Sequence, residues 1–266
     1  MRRVEGVAAS PDAAAARSGR EGDVSRLGYV ALVAALCVGI ALSISCSRGE
    51  GGDDEKGKGE ELDISVCAPE NGPFSLEIDN DWFPLPVGQR WVLEGTDDEG
   101  TVIRIEIEVL DETEEIAGVT ARVVEASEYE DGKLVEVARD FYVQAPDGTV
   151  CYYGEDVDIY EDGEVVSHEG SWRADGETNL PGIMMPADPK VGMIFRQEYA
   201  PGVAEDMCEI VAFGETVDTP AGEFTDTMRV EDWNPLEDPG ERDTKYYAYG
   251  VGLIVDEDAR LISTDQ

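Results

Sequence analysis

Apolar and polar residues alternate along much of the chain after residue 63. In VIRIEIEVL (102–110), Ile103, Ile105, Ile107 and Val109 share one face, and Arg104, Glu106 and Glu108 share the other. A period of two with one wet face marks a half-buried antiparallel strand. TARVVEASEYEDGKLVEVARDFYV (120–143) places two such runs around Asp131-Gly132. That dipeptide suits a tight hairpin because both residues tolerate positive φ. DVDIYEDGEVVSHEGSW (156–172) repeats the device at Asp162-Gly163, and APDGT (145–149) adds a further turn. No window beyond residue 63 longer than about ten residues has a helical period. The pattern predicts an all-β, antiparallel domain of roughly a dozen strands, built as a curved sheet, half-barrel or sandwich.

WRADGETNLPGIMMPADPK (172–190) interrupts the alternation. Pro181, Pro186 and Pro189 argue against a central strand there. Leu180, Ile183, Met184 and Met185 need a surface to pack on, so the expectation is a flap laid over the sheet.

A frame returns across this interruption. PLPVGQRW (84–91) is followed at an offset of 104 by DPKVGMIF (188–195), which aligns Val87-Gly88 with Val191-Gly192 and Trp91 with Phe195. Ala117-Gly118 and Ala221-Gly222 keep the offset, as do Gly148 and Gly252 behind aromatic pairs. Three anchor groups in one order point to an internal duplication, about 83–173 and 187–266.

The first 62 residues read differently. LGYVALVAALCVGIALSISC (27–46) carries no charge from Leu27 through Ser45, follows Arg26, and ends at a cysteine. This resembles a bacterial lipoprotein export signal, which implies cleavage before Cys46 and lipid on that residue. About 18 apolar residues would also suffice for an uncleaved membrane-spanning helix. Either way the leader and signal occupy 1–46, an acidic, Gly-rich linker occupies 47–62, and the β domain from 63 lies outside the cytoplasm, anchored to the cell membrane.

Charge narrows the partners. The 266 residues carry 60 acidic and 20 basic side chains, a formal net charge of −40. Residues 1–46 contribute 5 basic and 4 acidic, so 15 basic and 56 acidic follow them. Such a field repels nucleic acid. Cations, basic proteins and neutral ligands are left. Cys67, Cys151 and Cys208 follow the signal, so outside the cell two can pair and one is left over.

WFPLPVGQRWVLEG, GSW, GIMMPADPKVG, RQEYAPGVAEDM and YYAYGVGLI together resemble the motifs of a family of exported bacterial β-rich proteins. The resemblance covers most of 82–255 and implies an extracytoplasmic β domain without implying an activity. YYAYGVGLI alone is similar to a segment of lipoprotein-carrier half-barrels, which implies a concave apolar face for acyl chains.

Candidate chemistry is sparse. The single histidine, His168, lies in a strand; a catalytic base would also need an orienting partner in reach, and Ser171 follows no nucleophile-elbow pattern. Carboxylate pairs could serve hydrolysis, but with 56 acids the sequence nominates no pair. Glu155, Asp156, Asp158, Glu161 and Asp162 offer oxygen ligands for calcium, although Gly163 is out of the EF-hand register. Trp82, Trp91, Trp172, Met184, Met185 and Tyr246 are candidates for an apolar ligand pocket. The reading is a membrane-tethered binding or envelope-interaction protein with no catalytic residue and no cofactor other than calcium. A carrier of lipid or another apolar ligand, and a calcium-binding surface protein, are the alternatives. An enzyme ranks behind the first two. A packed interior favours the binding module and a large apolar cavity favours the carrier; converging perturbed carboxylates in a cleft would indicate an enzyme.

Overall fold

The structure, a computed structural model, describes residues 60–237 and 240–265. The leader, the apolar stretch, Cys46 and nearly all of the linker lie outside the described residues.

The alternating pattern produces a nearly continuous succession of strands: β1 (Glu60–Glu61), β2 (Arg90–Thr96), β3 (Val102–Ile116), β4 (Val119–Glu130), β5 (Lys133–Gln144) and β6 (Val150–Glu161). Then come β7 (Glu164–Ser167), β8 (Trp172–Arg173), β9 (Leu180–Met185), β10 (Met193–Arg196), β11 (Glu198–Tyr199) and β12 (Met207–Phe213). The chain closes with β13 (Val217–Thr219), β14 (Gly222–Phe224), β15 (Thr227–Trp233), β16 (Asp243–Ala248), β17 (Gly252–Asp256) and β18 (Ala259–Asp265). Among the described residues the helical turns are two short 3-10 segments, Ile64–Cys67 and Pro69–Asn71.

One sheet runs β1-β10-β12-β15-β16-β17-β18-β2-β3-β4-β5-β6-β9-β11, with β7 and β8 also on β6; β13 and β14 form a small separate hairpin. The pairing is antiparallel except for β1 on β10. β10 and β11 stand at opposite ends of that order, yet they are joined through Gln197. The bent stretch 193–199 therefore draws the ends together and curls the sheet almost into a barrel, not a sandwich. Gly182 permits this closure, since a Cβ there would lie 2.0 Å from the carbonyl oxygen of Gln197.

The flap expected over 172–190 is instead part of the wall. β9 lies between β6 and β11, with Pro181 opposite Glu198. Pro181 is tolerated because its pairing with the two-residue β11 is short, so few ladder bonds are lost. Met184 and Met185 pack into the core from this strand.

The expected turns are present. Asp131 and Gly132 have φ of 49° and 78°, and Asp162 and Gly163 have 52° and 83°, the left-handed values of a two-residue hairpin. In an antiparallel meander these turns alternate between two ends. Turns 97–101, 131–132, 162–163 and 257–258, with Asn234–Glu237, gather at one end; 117–118, 145–149 and 249–251 gather at the other.

The second end is plugged. Residues 72–89 cross it, burying Ile78, Phe83 and Leu85. The Phe83 ring meets Tyr142 at 5.4 Å and Tyr247 at 6.1 Å. Asn80 fixes the crossing by donating to the carbonyls of Gly148 and Pro186, both at 3.1 Å. A Cys67–Cys151 disulfide and a Tyr153 hydroxyl bond to the Cys67 carbonyl at 2.7 Å tie the 3-10 turn that precedes this segment to β6. Cys208 is the buried free thiol.

Candidate functional site: an acid-lined mouth

Along β5 and β6 the alternation carries acids inward at the unplugged end. Glu136, Ala138 and Asp140 on β5, and Glu155, Val157 and Ile159 on β6, are buried, while Arg139, Asp156 and Asp158 face outward. Glu128 of β4 is also buried and pairs directly across from Glu136. Like charges opposed on a buried face are unfavourable unless they are protonated.

Four carboxyls converge under a cavity of about 240 Å³: Glu136, Glu155, Glu198 and Asp206. Local backbone constraints set each one. Gly154 has φ 126°, and a Cβ there would lie 2.3 Å from the Trp172 carbonyl, so glycine lets β8 approach and seats Trp172 opposite Glu155. Trp172 then donates its indole N–H to Glu198 Oε1 at 3.0 Å. The amides of Gln197 and Glu198 both donate to the Asp206 carbonyl, at 2.8 and 3.2 Å, which brings Asp206 beside Glu198.

Burial, with the neighbouring carboxyls second, pushes Glu155, Glu198 and Asp206 well above the ordinary carboxylate range. Glu198 shares hydrogen bonds with both Glu155 and Asp206, so protons are held between acids. Glu155 Oε2 and Asp206 Oδ1 are buried and receive no hydrogen bond from an amide, hydroxyl or cationic group. Beside them Asp140 accepts from the Tyr152 hydroxyl at 2.7 Å, and burial raises its pKa to about 7. Further round the wall the ammonium of Lys245 sits 3.5 Å from Asp232 and 3.5 Å from Asp256. The rim is formed by the loops around Gly170, Gly202–Ala204 and Asn234–Glu237, with Val203 and Leu236 exposed upon it.

The residues singled out in the sequence are scattered. Of the calcium candidates, Glu155 faces the interior, Asp156 pairs outward with Arg173, and Asp158 lies 2.8 Å from His168 Nδ1. Glu161 and Asp162 sit at the exposed β6–β7 turn. The five do not converge. Among the described residues no group of three or more His, Cys, Asp and Glu is arranged to hold one metal ion. His168 is exposed on the outer face.

Of the pocket candidates, Trp172 touches the acid cluster. Trp82 packs edge-on to Phe213 and Tyr249 at the plugged end. Trp91 donates to the Val251 carbonyl at 2.8 Å and lines an apolar crevice of about 20 Å³ with Phe83 and Tyr247. Met184 and Met185 are core, and Tyr246 is half-buried on the outer side of β16. Glu198, Asp206, Asp140, Glu136, Asp232 and Lys245 were not singled out. For Glu136, Asp140 and Asp232, which lie in longer strands, the signal was phase: Asp232 falls in step with Met228 and Val230, as Glu155 does with Val157 and Ile159. A charge in the apolar phase of a strand is the mark of a buried acid.

No known protein family matches the chain, and no curated protein matches it. A crystal structure of a candidate lipoprotein from Parabacteroides distasonis is similar over 70% of this chain and 99% of its own, with 16% identity and a TM-score of 0.34. A likeness of that size carries no argument about function.

Proposed function

We propose that this is a membrane-tethered, extracytoplasmic binding protein that takes a small polar ligand into the acid-lined mouth of its barrel. The observation that carries the reading is the cavity of about 240 Å³ floored by Glu136, Glu155, Glu198 and Asp206. Buried polar atoms are normally satisfied, and Glu155 Oε2 and Asp206 Oδ1 receive no amide, hydroxyl or cationic donor from the protein, only the neighbouring carboxyls. A donor-bearing ligand would satisfy them. Export is supported by the apolar stretch 27–46 ending at Cys46 and by the Cys67–Cys151 disulfide, a bond favoured outside the cytoplasm. An apolar cargo is less well served, because the crevice beside Trp91 has room for about 20 Å³. Calcium is less well served too, since its proposed ligands point to opposite faces of β6.

A second reading follows from the proton held between Glu155 and Glu198. Two carboxyls that share a proton can divide into acid and base for hydrolysis. Native mass spectrometry of the full chain extracted from its own membrane separates these readings. Binding predicts a stoichiometric small molecule, retained unchanged on incubation and lost when Val203→Trp blocks the rim. A bound molecule that is cleaved over time supports the hydrolytic reading. An empty protein with an unlipidated Cys46 contradicts both the site and the anchor.

A further inference from the structure

We infer that the ligand of the acid-lined mouth is a linear aliphatic amine, its ammonium group seated among Glu155, Glu198 and Asp206 and its methylenes lying against Val157, Val203 and Leu236. This deepens the binding reading above and rests on it.

Four observations select this chemistry. The first is a demand for donors. Glu155 and Asp206 are 1% and 2% exposed, line the cavity, and each keeps one oxygen that no amide, hydroxyl or cation reaches. A primary ammonium brings three N–H donors and the charge that matches ionised carboxylates. The second is a precedent inside the same barrel. The Lys245 ammonium, itself 2% exposed, sits between Asp232 and Asp256 at 3.5 Å each. A ligand amine would repeat that arrangement one step along the wall, where carboxyls outnumber cations.

The third observation is the rim. Val203 and Leu236 are 53% and 45% exposed where they border the cavity, so an acid floor opens through an apolar collar. A bare inorganic cation has no use for the collar, whereas a methylene chain buries it. Glu169 and Glu237 line the same cavity and add negative charge there, which favours a second ammonium. Diamines and polyamines therefore fit most fully. The fourth observation concerns the alternatives. Quaternary ammonium groups are held by aromatic faces, and among the described residues no aromatic ring lines this cavity. Calcium needs six or more oxygens around one point, and among the described residues no such grouping exists.

Seating the ammonium requires ionised carboxylate, so a proton leaves the cluster for solvent. The groups that face the site are Glu128 from β4, Glu136 and Asp140 from β5, Glu155 from β6 and Trp172 from β8. Glu198 from β11, Asp206, Asp232 from β15, Lys245 from β16 and Asp256 from β17 complete the wall. One cation among Glu155, Glu198 and Asp206 favours their ionised forms, and binding tightens as pH rises.

Calorimetry on the full chain with 1,4-diaminobutane, at pH 6 and pH 8 and in two buffers of different ionisation enthalpy, tests the inference. The expected result is one saturable site, proton release, and affinity rising by about tenfold per pH unit for each proton released. Butane-1,4-diol, tetramethylammonium and calcium chloride should each bind at least about tenfold more weakly. Glu155→Gln should weaken the diamine at least about tenfold. Val203→Trp, a change at an exposed rim position, should abolish binding while leaving the melting temperature unchanged. Diamine binding no tighter than the diol, or unaffected by both substitutions, would overturn the amine assignment. If native mass spectrometry then finds a neutral molecule in the mouth, the binding reading survives without the amine. If it finds none, both fall.

Discussion

The residues that decide how this barrel behaves are the acids that sit where valine would normally be. Glu128, Glu136, Asp140, Glu155 and Asp232 each occupy the inward phase of a strand, in step with buried apolar residues such as Ala126, Ala138, Val157 and Val230. Isolated buried carboxylates are costly, so such groups either protonate or find a cation. Both outcomes occur here. Glu128, hemmed in by burial first and by Glu136 and Asp256 next, is raised to about 9. Asp232 and Asp256 instead share Lys245, whose own ionised form they favour despite its burial. Removing that ammonium should leave two uncompensated acids. Lys245→Met is expected to lower stability at pH 7 by about 3–5 kcal/mol, the usual cost of stranding a buried charge partner, as read by urea unfolding. Much of that loss should be recovered at pH 5, because burial raises Asp232 and favours its protonated form once the ammonium is gone. A loss of the same size at both pH values would show that the lysine acts through packing. These residues were legible in principle from alternation, yet with 60 acids in the chain only the phase, not the residue type, separates them from the solvated ones.

At the scale of elements, the alternating runs and the Asp-Gly turns gave the long strands β3 to β6 with little ambiguity, because both signals are local. β9 was not legible for a physical reason. Its proline count reads as irregular, and what makes it a strand is a distant event, the folding of 193–199 back against Gly182. The plug at 72–89 was hidden for the same reason, since nothing local says which end of a barrel a segment will cross. The 104-residue frame is best explained, we propose, by two related meanders. Gly88 and Gly192 share φ of 85° and 86°, and their amides donate at 2.8 Å to Val109 and Ile210, each on the next strand of its own meander. Trp91 and Phe195 are both buried. The halves have diverged at the site, for Glu94 is exposed where Glu198 is buried. Superposition of β2–β6 on β10, β12 and β15–β17 with a register other than 104 would remove the proposal.

For the whole molecule the balance of charge sets the response to pH. Glu128, Asp140, Asp243 and Glu257 are raised to about 9, 7, 6 and 8, burial being the leading cause for each. Glu155, Glu198 and Asp206 move in the same direction. Each therefore binds its proton more tightly folded than unfolded. Their stabilising contribution is complete below the ordinary carboxylate range, near pH 4, and is lost as pH rises through the folded values. Self-repulsion among the surface acids acts in the same sense but is screened by salt, whereas the buried set is not. The melting temperature should fall by about 10 °C between pH 5 and pH 9, and 0.5 M salt should recover less than about half of that fall. A melting temperature that rises over this interval would reverse the sign of the account. The most direct measurement is a carboxyl-carbon NMR titration of Glu155, Glu198 and Asp206 in the ligand-free protein. The account predicts that all three keep their protons well past the ordinary range of about 4, and that an amine ligand brings their ionisation down. Three ordinary titrations near pH 4, indifferent to added amine, would contradict it.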